Sequence, residues 1–223
     1  AQEEYNEAEI KAQFAGEAVL RQFTRAKNYL YDRILRVLRQ YHENNSAQAR
    51  CLAVLEAVEV LSNRQLHAQA AKKLKSGLRI AEIYALTDQV PALLAWQRKL
   101  LKRQNVPKLS AALQQLGKAE AEAQRQLQRE QQLRALYDRF LALSKQRRGP
   151  ASMDPAATNV ALRDLRAHPV LAFPPSNLPF NARLAHHLCF ALYHRLRGEM
   201  LPAQARYREV RRTWEAHPRL LAA

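Results

Sequence analysis

The residues able to do chemistry are few, and their spacing limits what they could do. Glu56 and Glu59 stand three apart in a mostly apolar stretch, "AQARCLAVLEAVEVLS". A carboxylate metal site in a helical bundle needs Glu-x-x-His, and no His follows either glutamate at that spacing. Two acids in so arginine-rich a chain are expected instead to meet the cations of a neighbouring helix. His186, His187, Cys189 and His194 form the other candidate cluster. On a helix His187 and His194 share a face. Two ligands do not hold zinc, however, and the region of the other cysteine, Cys51, supplies no second pair. Packing and hydrogen bonding inside a core are the expected roles. No Gly-rich phosphate loop, nucleophile elbow or HExxH occurs. The expectation is a protein that is not an enzyme, with no metal and no cofactor.

Charge is the stronger signal. Lys and Arg number 36 against 20 Asp and Glu, a formal net charge of +16. Such an excess attracts polyanions and acidic surfaces. It gathers at Arg33, Arg36 and Arg39; at "KKLK" from Lys72 to Lys75; at "RKLLKR" from Arg98 to Arg103; and at Arg206, Arg208, Arg211 and Arg212. Patches on several helices describe a diffuse field. Recognisable nucleic-acid modules are absent: no RNP aromatics, no zinc finger, no clear helix-turn-helix. Tyr29, beside Arg33 and Arg36, is placed to stack on a base, whereas Tyr41 and Tyr31 are expected to face inward. The residues expected to touch a partner are Tyr29, Arg33, Arg36, Arg98, Lys102 and His194. That partner is expected to be an acidic protein or peptide, with nucleic acid bound through basic helix faces as the alternative.

The elements that must position these residues are helices. Five glycines are few for 223 residues, and Ala, Leu, Gln, Glu, Lys and Arg dominate, which favours helix nearly everywhere. No apolar run reaches 18 residues, so no membrane span is expected. No signal peptide is visible and the two cysteines are far apart, so a reducing, cytoplasmic setting is expected. The missing initiator Met reads as a trimmed chain. Asn6 followed by Glu9 predicts a capping box opening a short helix that closes near Ala15-Gly16. In "AKNYLYDRILRVLRQYH", Ala26, Leu30, Ile34, Val37, Leu38 and Tyr41 share one face, extended by Tyr31 and Leu35. Arg33, Arg36, Arg39, Asp32 and Tyr29 fall opposite. The pattern predicts a helix with a buried half and a basic half.

The second half of the next helix is apolar on nearly every side except Glu56 and Glu59, so that helix is expected to lie between others. A turn at Asn63-Arg64, a cap at Thr87-Asp88 and a long segment from Leu109 to Arg148 follow, the last as one helix or two joined near Gly117. "RGPASMDPAATN" reads as a linker, followed by a short helix. "HPVLAFPPSNLPF", with four prolines in thirteen residues, cannot be regular structure, and Val170, Leu171, Phe173 and Phe180 are expected to pin it. Asn181 is expected to cap the next helix and Gly198 to end it. The domain reading is an N-terminal helical array over 1–148, a Pro-rich linker with one short helix over 149–180, and a C-terminal hairpin over 181–223, in one elongated domain. Helix is expected in about three-quarters of the residues, far above the usual globular share.

Ala191, Gly198, Ala203, Tyr207 and Val210 fall at intervals of 7, 5, 4 and 3, with Pro218 beyond. This spacing resembles the tetratricopeptide repeat (TPR). His187 stands where that repeat usually has Trp, and Val210 where it usually has Ala. A weaker copy runs through Ala57, Leu61, Ala70, Leu74 and Gly77. "KNYLYDRILRVLRQYH", "AAKKLKSGLRIAEIYAL" and "LLAWQRKLL" also resemble a bacterial family of helical-repeat proteins with no assigned activity, the similarity running from Tyr5 to His217. The resemblance implies an all-α fold of antiparallel helix hairpins stacked as a short TPR-like right-handed solenoid. It also implies a cytoplasmic setting and a chain extending past both ends seen here. It implies nothing about chemistry. The functional expectation is a non-catalytic scaffold whose concave surface, built from successive helices, holds a protein or peptide.

Overall fold

Asn6 starts the first helix as its spacing predicts. Its side-chain oxygen accepts from the N–H groups of Ala8 at 3.1 Å and Glu9 at 3.4 Å, satisfying donors that a helix start leaves open. The computed structural model describes residues 6–14, 22–103, 107–146 and 155–221. Among them every regular element is helical and none is a strand. The chain forms two compact units, Ala1–Ser46 and Ala47–Ala223. The expected division at residue 148 lies outside the described residues.

The first unit contains α1 (Glu7–Gln13) and α2 (Phe23–Asn45). Glu7 holds Lys11 at 2.8 Å and Lys27 of α2 at 3.0 Å. These two cations draw the Glu7 carboxyl down to about 2. The expected closure at Ala15-Gly16 lies outside the described residues. The expected buried half of α2 is not buried. Leu30 is 59 % exposed, Ile34 48 %, Val37 64 %, Leu38 54 % and Tyr41 70 %. Within this unit the reason is length: α1 has seven residues, none of them buried, and cannot cover a 23-residue helix.

The second unit holds α3 (Ala47–Asn63), α4 (His67–Ile83), α5 (Val90–Arg103), α6 (Leu109–Gln146), α7 (Pro155–Arg166), α8 (Phe180–Leu196), α9 (Met200–Glu215) and α10 (Pro218–Leu221). Neighbours in this order pack together except α7 and α8, which both pack on α6. Three of the turns use one device. Leu66 N–H bonds the Leu61 carbonyl and Gln65 N–H that of Ser62; Leu86 pairs with Ala81 and Ala85 with Glu82; Glu199 pairs with His194 and Gly198 with Arg195. Each is a Schellman closure, which needs a left-handed residue. Gly198 supplies it at φ +80, but Gln65 at 63 and Ala85 at 50 do so with a side chain in place. A chain with so few glycines ends its helices on strained residues, so two of these turns carry no glycine signal in the sequence.

Two larger apolar clusters and a small third one, Leu94, Leu116 and Ala123 between α5 and α6, follow. Cys51, Val54, Val58, Ala70, Leu74, Leu93 and Leu100 join α3, α4 and α5. Leu133, Phe140, Leu162, Val170, Cys189 and Leu192 join α6, α7 and α8. The 38-residue α6 runs unbroken through Gly117, its first half against α5 and its second against α8. The Pro-rich segment is pinned to the body as expected at Val170, Leu171 and Phe180, and Leu178 is buried with them, because two short 3-10 turns, Pro169–Ala172 and Pro175–Asn177, fold the chain back. Phe173 stays partly exposed under the Arg129 guanidinium, 4.4 Å from its ring centre. The third helix is not enclosed as expected: it buries Cys51, Val54 and Val58 but leaves Leu52 and Val60 exposed. Asn181 is not a cap either. It sits one residue inside α8, and its amide donates 3.1 Å to the Ala85 carbonyl, tying α8 to the turn before α5.

The terminal hairpin carries the repeat spacing. Ala191 and Ala203 are both fully buried where α8 meets α9, and Trp214 meets Phe180 edge-on at 4.8 Å. Small residues at that crossing let the backbones approach, so Ala203→Leu is expected to overpack it and cost about 1–3 kcal/mol. Urea denaturation measures the loss. An unchanged midpoint would mean that the crossing has room and that the small residue is incidental.

Candidate interaction surface

The longest apolar surface outside a core is on α2. Leu30, Ile34, Val37 and Tyr41 recur at intervals of four, three and four, the spacing that keeps side chains on one helical seam. Tyr31 and Leu38 widen the seam to a stripe. Arg33 borders it, while Arg36, Arg39, Arg25 and Asp32 turn to the reverse. Tyr29, Arg33 and Arg36 are brought together on successive turns, and the Arg33 guanidinium lies 5.9 Å from the Tyr29 ring centre. Arg33 and Arg36 make no ion pair among the described residues. This helix is therefore amphipathic and exposed on both faces.

The other expected contact residues lie in the second unit and are committed differently. Arg98 clasps Glu120 of α6 through Nε at 2.9 Å and through Nη2. The pair holds the Glu120 carboxyl below the usual carboxylate range and raises the guanidinium. Arg98 is a tie between α5 and α6, not a cation held out to solvent. Lys102 is exposed in the last turn of α5. His194 is also engaged: its Nδ1 is 2.7 Å from Glu199, which Arg197 also meets at 2.9 Å. His194 thus fastens the α8–α9 turn.

The possible chemistry resolves into packing. His186 and His187 are buried, Glu56 and Glu59 are exposed on α3, and no group among the described residues could hold a metal ion. The His186 Nε2–H donates to the Leu171 carbonyl at 3.3 Å, leaving Nδ1 buried without a partner. Burial pushes its pKa down to about 4 and lowers that of His187 as well. Arg166 and Arg206 lie 4.6 and 4.8 Å from the Phe190 ring centre. Burial pushes the Cys189 thiol up to about 12 and raises that of Cys51, so neither is a ready nucleophile. A cavity of about 480 Å³ lies between the α4–α5 turn, α6 and the start of α8, lined by Leu78, Ala81, Val90 and Phe180 with Glu82 and His217 at its wall. No sequence signal marked it, because its walls come from four distant segments.

The second unit is a helical array, and the first holds an amphipathic helix whose apolar side chains are exposed. No protein-family model, curated protein or solved structure matches the chain. No described helix is long and apolar enough to cross a membrane.

Proposed function

We propose that this protein is a non-catalytic helical-repeat scaffold that binds an acidic protein or peptide in the cytoplasm. One observation carries the reading: α2 exposes a row of large apolar side chains on a strongly basic chain. Contiguous exposed apolar surface of this kind marks interaction sites, and the charge selects acidic partners over basic ones. The repeated Schellman turns and the buried alanines of the last hairpin support a TPR-like solenoid as the architecture, with its hairpins stacked antiparallel and right-handed.

Nucleic acid is the competing polyanion. The test titrates the whole chain with a 30-nucleotide RNA and with an acidic 20-residue peptide at physiological salt. The expected result is saturable peptide binding and weak RNA binding that salt abolishes. Arg33→Ala, Arg36→Ala, Arg39→Ala should then reduce RNA binding no more than Arg206→Ala, Arg208→Ala, Arg212→Ala. A nucleic-acid surface on α2 would instead show in the salt dependence. The first triple change would lower the slope of log affinity against log salt by up to ~2–3 units, since each phosphate contact contributes about 0.7–0.9. Sub-micromolar RNA binding that vanishes only with that triple change would overturn the scaffold reading.

A further inference from the structure

We propose that the apolar face of α2 seats one acidic amphipathic helix of a partner protein, paired lengthwise along Leu30, Ile34, Val37 and Tyr41. This rests on the scaffold reading and specifies its partner. The seam runs over twelve residues, about 16 Å or three turns, with no exposed sheet edge among the described residues that an extended peptide could join. An apolar row with alternating three- and four-residue steps is matched by another helix with the same steps, which sets its side chains between those of the first.

Charge decides which helix. From Phe23 to Asn45 the sequence has Arg25, Lys27, Arg33, Arg36 and Arg39 against Asp32 and Glu43. A second copy would bring the same positive excess to the seam, with Arg33 along its edge; a helix edged with Glu or Asp meets it with opposite charge. Arg33, at the edge of the stripe and without an ion-pair partner among the described residues, is placed to make such a pair. A lipid surface, which would take the same apolar stripe and leave Arg25 and Arg36 on the polar face, is the competing occupant that the vesicle control separates.

The test uses the whole chain and a designed 20-residue peptide with Leu and Ile at heptad a and d positions and Glu at the edges. Its controls are a scrambled peptide of the same composition, vesicles containing phosphatidylserine, and sedimentation of the protein alone. Fluorescence anisotropy at physiological salt is expected to show saturable binding of the designed peptide, at least about tenfold tighter than the scrambled one. Ile34→Asp with Val37→Asp should weaken it at least about tenfold with the circular dichroism unchanged, and Arg33→Glu should weaken it measurably. Equal binding of both peptides would overturn the helix seat while leaving an acid-binding scaffold standing. RNA binding with neither peptide bound would overturn both. Vesicle binding, or self-association, that the Ile34→Asp, Val37→Asp change abolishes would also overturn the proposal, by naming a membrane or a second copy as the occupant.

Discussion

Between pH 6.5 and pH 4 the protein is expected to lose about 3 kcal/mol of stability through His186 alone. Its ring lies among Leu171, His187, Phe190, Arg166 and Arg206. Nε2–H is committed to a carbonyl, so a second proton must enter at Nδ1, which is buried and has no acceptor. Burial opposes that charge most, and His187 and the two arginines add repulsion, so the folded pKa falls from 6.5 to about 4. The unfolded chain binds a proton near 6.5 and the folded chain does not. Stability is therefore full above that value and drains away as pH falls toward 4, with about 2 kcal/mol gone at pH 5.

His187 is lowered in the same direction and adds to the loss. The depressed carboxylates Glu120 and Glu199 lose their contribution only below their unfolded value near 4.5, so the range from pH 7 to pH 5 isolates the histidines. Urea denaturation at those two pH values measures it. His186→Gln retains an amide donor for the Leu171 carbonyl and cannot titrate, so it should remove more than half of the difference. An unchanged difference in that variant would show that His186 is not the group responsible.

The histidines were legible in the sequence as core residues because they sit among Leu, Cys and Phe at helical spacing, and the structure keeps them there. Asn6 and Gly198 were legible for a similar reason: each performs a local task, capping or a left-handed turn, that its own chemistry announces. What failed were inferences about what covers what. Periodicity located the apolar face of α2 correctly, but a pattern of side chains contains no information about the element that meets it. The same gap explains α3, where Leu52 and Val60 stay exposed. Proline density was a better guide: it excluded an α-helix between His168 and Pro179, and the apolar Val170 and Leu171 between the prolines are buried as their type announced. Arg98 and His194 looked like outward contact residues because Glu120 and Glu199, which hold them, lie 22 and 5 residues away, and only folding brings the first of these near.

Gly77→Leu is expected to destabilise the protein by more than about 3 kcal/mol, the upper end for overpacking. Gly77 lies inside α4, and what makes the position exacting is space, not backbone angle. A Cβ there would sit 2.8 Å from Val54 Cγ1 and 3.0 Å from Leu93 Cδ2. Both neighbours are buried in the α3–α5 cluster, and Val54 is β-branched on a helix, with one strongly preferred rotamer and little freedom to retreat. Gly77→Ala sets two effects against each other. Helix propensity favours Ala by about 1 kcal/mol, while the clash with Val54 costs more, so a net loss of about 1 kcal/mol is expected. Val54→Ala, which opens the space, should then cost measurably less in the Gly77→Ala background than in the native one. That coupling separates a steric cause from a change in the unfolded chain, which would be additive. Strict additivity, or a Gly77→Ala variant more stable than the native protein, would show that α3 and α4 do not meet as closely as the structure has them.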